Sequence, residues 1–139
     1  MLKQYRMIAI AAAVCLGLTM TAKPVATSAR TQEATGKVEI SLKNFKFTPA
    51  DITLTAGKTV TLIFINEGTG GHNFIAKEFF ASAQMDTETR TKLGKKGVVE
   101  LNKGARMEIT LTPKVGSYKV KCGHFLHAGL GMTGSISVR

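Results

Sequence analysis

The sequence predicts an all-β fold, a Greek-key sandwich or barrel of about eight short strands, on three observations. Beyond residue 36, apolar and polar residues alternate with a period of two along most of the chain. Turn-forming residues interrupt that alternation at short intervals. One segment, residues 78–96, drops the pattern and reads as a helical or irregular insertion.

The first strand shows in Val38, Ile40 and Leu42, which alternate with Glu39, Ser41 and Lys43 and so fall on one face of a pleated strand. Ile52 and Leu54 repeat the pattern after Pro49, and Ala56-Gly57-Lys58 supplies the next turn. Across Thr59–Asn66, both Val60, Leu62 and Phe64 and their neighbours Ile63 and Ile65 are apolar, which predicts burial on both faces. Later strands are expected at Val98–Leu101, Arg106–Thr112, Ser117–Lys121 and Gly134–Val138, with Met107, Ile109 and Leu111 facing inward. Lys103-Gly104 and Val115-Gly116 fall where turns are needed, and neighbouring strands are expected to run antiparallel. Within the insertion, Phe79 and Phe80 are expected to cover one end of the sandwich. Asp86–Lys96 is expected as a mobile, solvated loop, with Lys92, Lys95 and Lys96 forming a solvated face.

Residues 1–29 read as a secretory signal peptide. Lys3 and Arg6 form the positive leader, Met7 to Met20 is apolar apart from Thr19, and Thr27-Ser28-Ala29 offers small residues for cleavage. Cleavage is placed near Ala29, with Ala22 and Ala26 as alternatives. An apolar run of about 14 residues is short of the roughly 20 that span a bilayer, so an uncleaved anchor is the lesser alternative. Residues 30–36 are expected as a flexible leader and residues 37–139 as the folded domain. Export implies the periplasm.

Cys15 lies inside the apolar run and is discarded with it, which leaves Cys122 as the only cysteine of the mature chain. A lone thiol in an oxidising compartment needs a role: nucleophile, intermolecular disulfide, or metal-bound thiolate. The mature part carries 16 basic and 9 acidic residues, a net +7. Export argues against nucleic acid, and the basic residues are scattered rather than clustered with aromatics. An acidic redox partner or the membrane surface remains, alongside simple solubility.

The segment Cys122-Gly123-His124-Phe125-Leu126-His127-Ala128-Gly129-Leu130-Gly131-Met132 places a thiol, two imidazoles and a thioether within 11 residues, on a loop between the last two strands. Copper cycling between two oxidation states suits this mixture, because soft sulfur favours the reduced form and imidazole accommodates both. Two His and one Cys with a distant Met is the donor set of blue-copper sites. The loop supplies Cys122, one His and Met132. The second His must be His72, the one histidine outside the loop, which follows the flexible stretch Asn66-Glu67-Gly68-Thr69-Gly70-Gly71. A cysteine nucleophile would want an orienting carboxylate, and Gly116 to Arg139 contains no Asp or Glu. A structural zinc site would want a stronger fourth ligand than Met132.

Three stretches together resemble the cupredoxins, the plastocyanin and azurin family, over residues 37–139. They are Phe47-Thr48-Pro49 with Ile52 to Gly57, Asn66 to Phe74 with its His72-Asn73 pair, and Cys122-x4-His127-x4-Met132-x-Gly134. The resemblance implies one copper ion on His72, Cys122, His127 and Met132, with Asn73 tying the two ligand loops together. The four-residue spacing between Cys122 and His127 is longer than plastocyanin's two and is similar to azurin-type members. His124 departs from the pattern and is the rival to His127. Leu126, Ala128, Gly129 and Leu130 are expected either as an apolar collar around His127 or as core. The implied function is one-electron transfer by a monomeric, non-enzymatic carrier between redox proteins such as a cytochrome, oxidase or reductase. The alternative is a periplasmic copper-binding or copper-resistance protein that buffers or delivers the metal.

Overall fold

A computed structural model describes residues 33–34, 36–93 and 97–139. Residues 1–32, on which the signal-peptide reading and most of the expected leader fall, lie outside the described residues, as do Lys95 and Lys96. Among the described residues, ten strands build two packed sheets: β1 (Glu33–Ala34), β2 (Gly36–Lys43), β3 (Lys46–Thr48), β4 (Asp51–Leu54), β5 (Val60–Asn66), β6 (His72–Ile75), β7 (Val98–Leu101), β8 (Arg106–Leu111), β9 (Gly116–Lys121) and β10 (Thr133–Val138). One sheet has the order β1-β4-β10-β9-β6-β7 and the other β3-β2-β5-β8. The architecture is the expected all-β sandwich, open at its edges rather than closed into a barrel. The strands above the expected eight include β1 and β3, of two and three residues, too short to show an alternation.

The sheets are mixed rather than purely antiparallel. β2 runs parallel to β5, and β4 runs parallel to both β1 and β10. The chain leaves β2, passes through β3 and β4, and only then returns as β5, a crossover long enough to bring it back in the same direction.

Alternation places the core as read. Ile40, Leu42, Leu62, Phe64, Ile109 and Leu111 of one sheet face Leu54, Phe74, Val99, Leu101 and Ile136 of the other, all essentially without solvent exposure. In β5, Ile63 on the outer face is also buried, while Thr61 and Ile65 are half-buried. Met107 is half-buried, less enclosed than expected, because it lies at the start of β8 opposite Phe64.

The insertion holds two short helices, α1 (Lys77–Ser82) and α2 (Thr87–Lys92). α1 buries Phe79 and Phe80, whose rings stack edge-on with Tyr118 and Phe74 and close one flank of the core. α2 corrects the expectation of a solvated loop over Asp86–Lys96. The Asp86 side chain caps the helix by accepting from the Thr89 N–H at 2.6 Å, and Thr89 and Leu93 turn inward. This cap holds the Asp86 carboxyl below its usual value. Lys92 pairs with Glu88 one turn earlier on the exposed side.

Sheet direction brings the end of β7, the start of β8 and six further strand ends to one end of the sandwich. β2, β5 and β9 finish there, and β3, β6 and β10 begin there. His72, Cys122 and Met132 are the residues at those junctions.

Candidate metal centre

His72 opens β6, and its position follows from the loop before it. The buried Asn66 side chain donates to the carbonyls of Gly70 and Leu101, both at 2.9 Å, and accepts from the Gly68 N–H at 2.9 Å. The bonds to Gly68 and Gly70 hold residues 66–71 in a compact turn, and the bond to Leu101 ties that turn to β7. Gly68 is required by contact: a Cβ there would lie 2.4 Å from His72 Nε2 and 2.6 Å from Asn44 Oδ1.

Asn44, between β2 and β3, sets the histidine's tautomer. Its Oδ1 accepts the Thr69 N–H at 2.9 Å, which fixes the amide's orientation, and the same oxygen stands 3.2 Å from His72 Nε2. A carbonyl oxygen only accepts, so Nε2 carries the proton and Nδ1 presents its lone pair to the interior. Burial, helped by the neighbouring His127, holds the His72 pKa below the ordinary histidine value. The imidazole is therefore kept neutral and able to bind a metal.

Cys122 follows β9 directly and is buried; Met132 precedes β10 and is fully buried. The loop between them is closed by its own backbone. Cys122 N–H donates to the Met132 carbonyl at 3.0 Å, and Met132 N–H donates to the His127 carbonyl at 2.9 Å. Leu126 takes a left-handed conformation (φ 62°) to turn the chain so that His127 points back inward.

The result is a convergent donor set. His72 Nδ1 and His127 Nδ1 are 3.1 Å apart, and Cys122 Sγ is 3.4 Å from His127 Nδ1. Among the described residues, His72, Cys122 and His127 form a group whose ligand atoms all lie within 4.8 Å of one another. Two imidazole nitrogens and one sulfur at that separation fit a single soft-to-borderline ion, and the thioether residue Met132 is hydrogen-bonded into the same loop.

His124 is not part of the cluster. Its Nε2–H donates to Glu100 Oε1 at 2.7 Å, and its ring stacks on His127 with centroids 5.4 Å apart. Asn73 joins the two loops, as the resemblance implied: its Oδ1 accepts the Gly123 N–H at 2.6 Å, and its Nδ2 donates to Glu100 Oε2 at 2.9 Å. Leu126 and Leu130 are 61% and 58% exposed, which makes them a collar and not core. Phe125, 87% exposed, extends the same apolar surface.

Sequence reasoning missed Asn44, Phe45 and Glu100. Phe45 packs edge-on against His127, with centroids 4.9 Å apart. The first two sit in the turn after β2, at the ligand end of the sandwich. Glu100 is the cross-strand partner of Asn73. Knowledge of which strands pair would have exposed all three.

Comparison with known proteins agrees with this geometry. The model of the family described as copper binding proteins, plastocyanin/azurin family, matches residues 34–139. Among solved structures, a dithionite-reduced auracyanin from the photosynthetic bacterium Roseiflexus castenholzii is 21% identical, with a TM-score of 0.56 over 78% of this chain and 99% of that one. Auracyanin B is 20% identical with a TM-score of 0.53, over 78% of this chain and 91% of that one. Auracyanin A from Chloroflexus aurantiacus is 22% identical with a TM-score of 0.53, over 74% of this chain and 98% of that one. No curated protein matches the sequence.

Proposed function

Because this chain belongs to the plastocyanin/azurin family of copper-binding proteins, we propose that it is an exported one-electron carrier, not an enzyme, whose copper is held by His72, Cys122, His127 and Met132. The observation that carries this is the meeting of His72 Nδ1, His127 Nδ1 and Cys122 Sγ at the closed end of the sandwich. Copper bound there would supply a one-electron couple between Cu(II) and Cu(I).

The protein's own residues supply rigidity and access. Asn44 holds His72 in one tautomer, Asn73 holds the Cys122 loop, and Phe45 braces the His127 ring. Ligands held this way change position little between oxidation states, which favours rapid transfer. Buried His72, Cys122 and Met132 have no route to solvent, so His127, half-buried among Phe125, Leu126 and Leu130, is the donor that a redox partner can approach. Auracyanin A is described as a "blue" copper protein, and the same colour is expected here from a Cys thiolate on Cu(II). The segment 1–29 is proposed to direct export to the periplasm, where a cytochrome, oxidase or reductase would exchange electrons with the site.

The test is the visible spectrum of the purified protein with Cu(II). An intense thiolate-to-copper band that Cys122→Ser abolishes, with circular dichroism unchanged, supports the assignment; a coloured Cys122→Ser variant removes Cys122 from the site. Fast electron exchange with a cytochrome and slow loss of metal to a chelator favour a carrier over a copper buffer.

A further inference from the structure

Glu100 lies outside the donor cluster, in the third position of β7 and directly opposite Asn73 of β6. Its two carboxylate oxygens take different partners. Oε2 accepts from Asn73 Nδ2 at 2.9 Å, and Oε1 accepts from His124 Nε2–H at 2.7 Å. The other end of the Asn73 amide accepts the Gly123 N–H at 2.6 Å. One carboxylate therefore reaches both residues that follow Cys122: Gly123 through the backbone and His124 through the ring.

We propose that Glu100 is a positioning residue of the metal centre: its carboxylate clamps the start of the 122–132 loop onto β6 and β7, and so tunes the reduction potential of the copper site. The second half rests on the copper assignment above; the clamp itself does not.

The chemistry calls for a carboxylate. An ionised Glu accepts at both oxygens, whereas a glutamine has one accepting atom and keeps both Asn73 and His124 only if His124 shifts its proton to Nδ1. Charge-assisted bonds are also roughly twice as strong as neutral ones. The clamp reaches the donors through contact. His124 stacks on His127, and Gly123 sits so close to the sheet that a Cβ would lie 2.5 Å from Ile75 Cδ1. A negative charge at this end also favours the more positive Cu(II), which lowers the potential. The Glu100 side chain is about half exposed, so that contribution is screened by salt, and replacing it leaves the core untouched.

The experiment compares Glu100→Ala and Glu100→Gln with the parent, first without metal. Amide hydrogen exchange at Gly123 should quicken about tenfold in Glu100→Ala, with Glu100→Gln between it and the parent. In the copper-loaded protein both variants should keep the visible band and raise the potential, by an amount that shrinks at high salt. The effects of Glu100→Ala and His124→Ala on exchange at Gly123 should combine less than additively, because each breaks the same chain of bonds. Unchanged exchange in metal-free Glu100→Ala overturns the clamp whatever the copper does. Quickened exchange with an unchanged potential retains the clamp and overturns its tuning role. Absence of the visible band in the parent itself overturns the copper assignment and leaves the exchange result standing.

Discussion

Met132 and the two loop histidines carry the sharpest expectations at the scale of single residues. A thioether is the weakest donor of the four, so Met132→Leu should retain copper and raise the reduction potential, since an apolar neighbour favours the less charged Cu(I). Loss of all copper binding, measured by metal analysis after dialysis, would make Met132 a primary ligand instead. His127→Ala should destroy the thiolate-to-copper band or leave one that added imidazole restores, because His127 Nδ1 stands 3.4 Å from Cys122 Sγ. His124→Ala should keep the band, its Nε2 being directed at Glu100 and away from the donors. Copper loss in the His124 variant together with retention in the His127 variant would reverse the assignment. Which histidine joins Cys122 was legible from spacing only as a preference. Leu126 decides it physically: its left-handed backbone turns the chain between the two histidines, so they do not share a direction.

At the scale of elements, the site depends on how β10 is seated. Gly134 passes so near β4 that a Cβ there would lie 2.1 Å from the Ala50 carbonyl oxygen, an atom that also accepts the Ser135 N–H. Gly134→Ala should therefore push β10 off β4 and destabilise the fold by about 1–3 kcal/mol in urea titration, the usual scale of overpacking. It should weaken copper retention as well, since Met132 leads directly into that strand. Parent-like stability would show that the two strands are not so closely apposed. Most strands were legible in the sequence because one-sided burial writes itself as alternation. α2 was not, since its six residues Thr87–Lys92 carry no apolar stripe. What makes it a helix is the Asp86 cap and the burial of Thr89, neither of which leaves a periodic signal.

For the whole molecule, metal and proton compete for a preformed pocket. The core holds Phe64, Phe74, Ile109 and Ile136 without reference to the metal, so the apoprotein should fold. Copper should then stabilise it by a free energy that grows with the logarithm of metal concentration over the dissociation constant, about 4 kcal/mol at a thousandfold excess, read as a higher melting temperature. His72 adds a pH dependence to the apoprotein. Burial holds its folded pKa below the ordinary 6.5, so the unfolded chain binds the proton first on acidification. That stabilising contribution is complete above about 6.5 and is lost as pH falls through the folded value. A melting-temperature profile of the metal-free protein should thus decline below pH 6.5, and His72→Gln should flatten the decline. A flat profile in the parent would mean that His72 is solvated. The fold class and the donor types were determined by the sequence alone, because alternation and the Cys122–Met132 spacing are local properties of the chain. The parallel pairing of β2 with β5, the roles of Asn44 and Glu100, and the separation of His124 from His127 were decided only in three dimensions. Each depends on which strands lie side by side, and hydrogen bonds across 28 residues (His72 to Asn44) or 27 (Asn73 to Glu100) have no counterpart in the chain's local pattern.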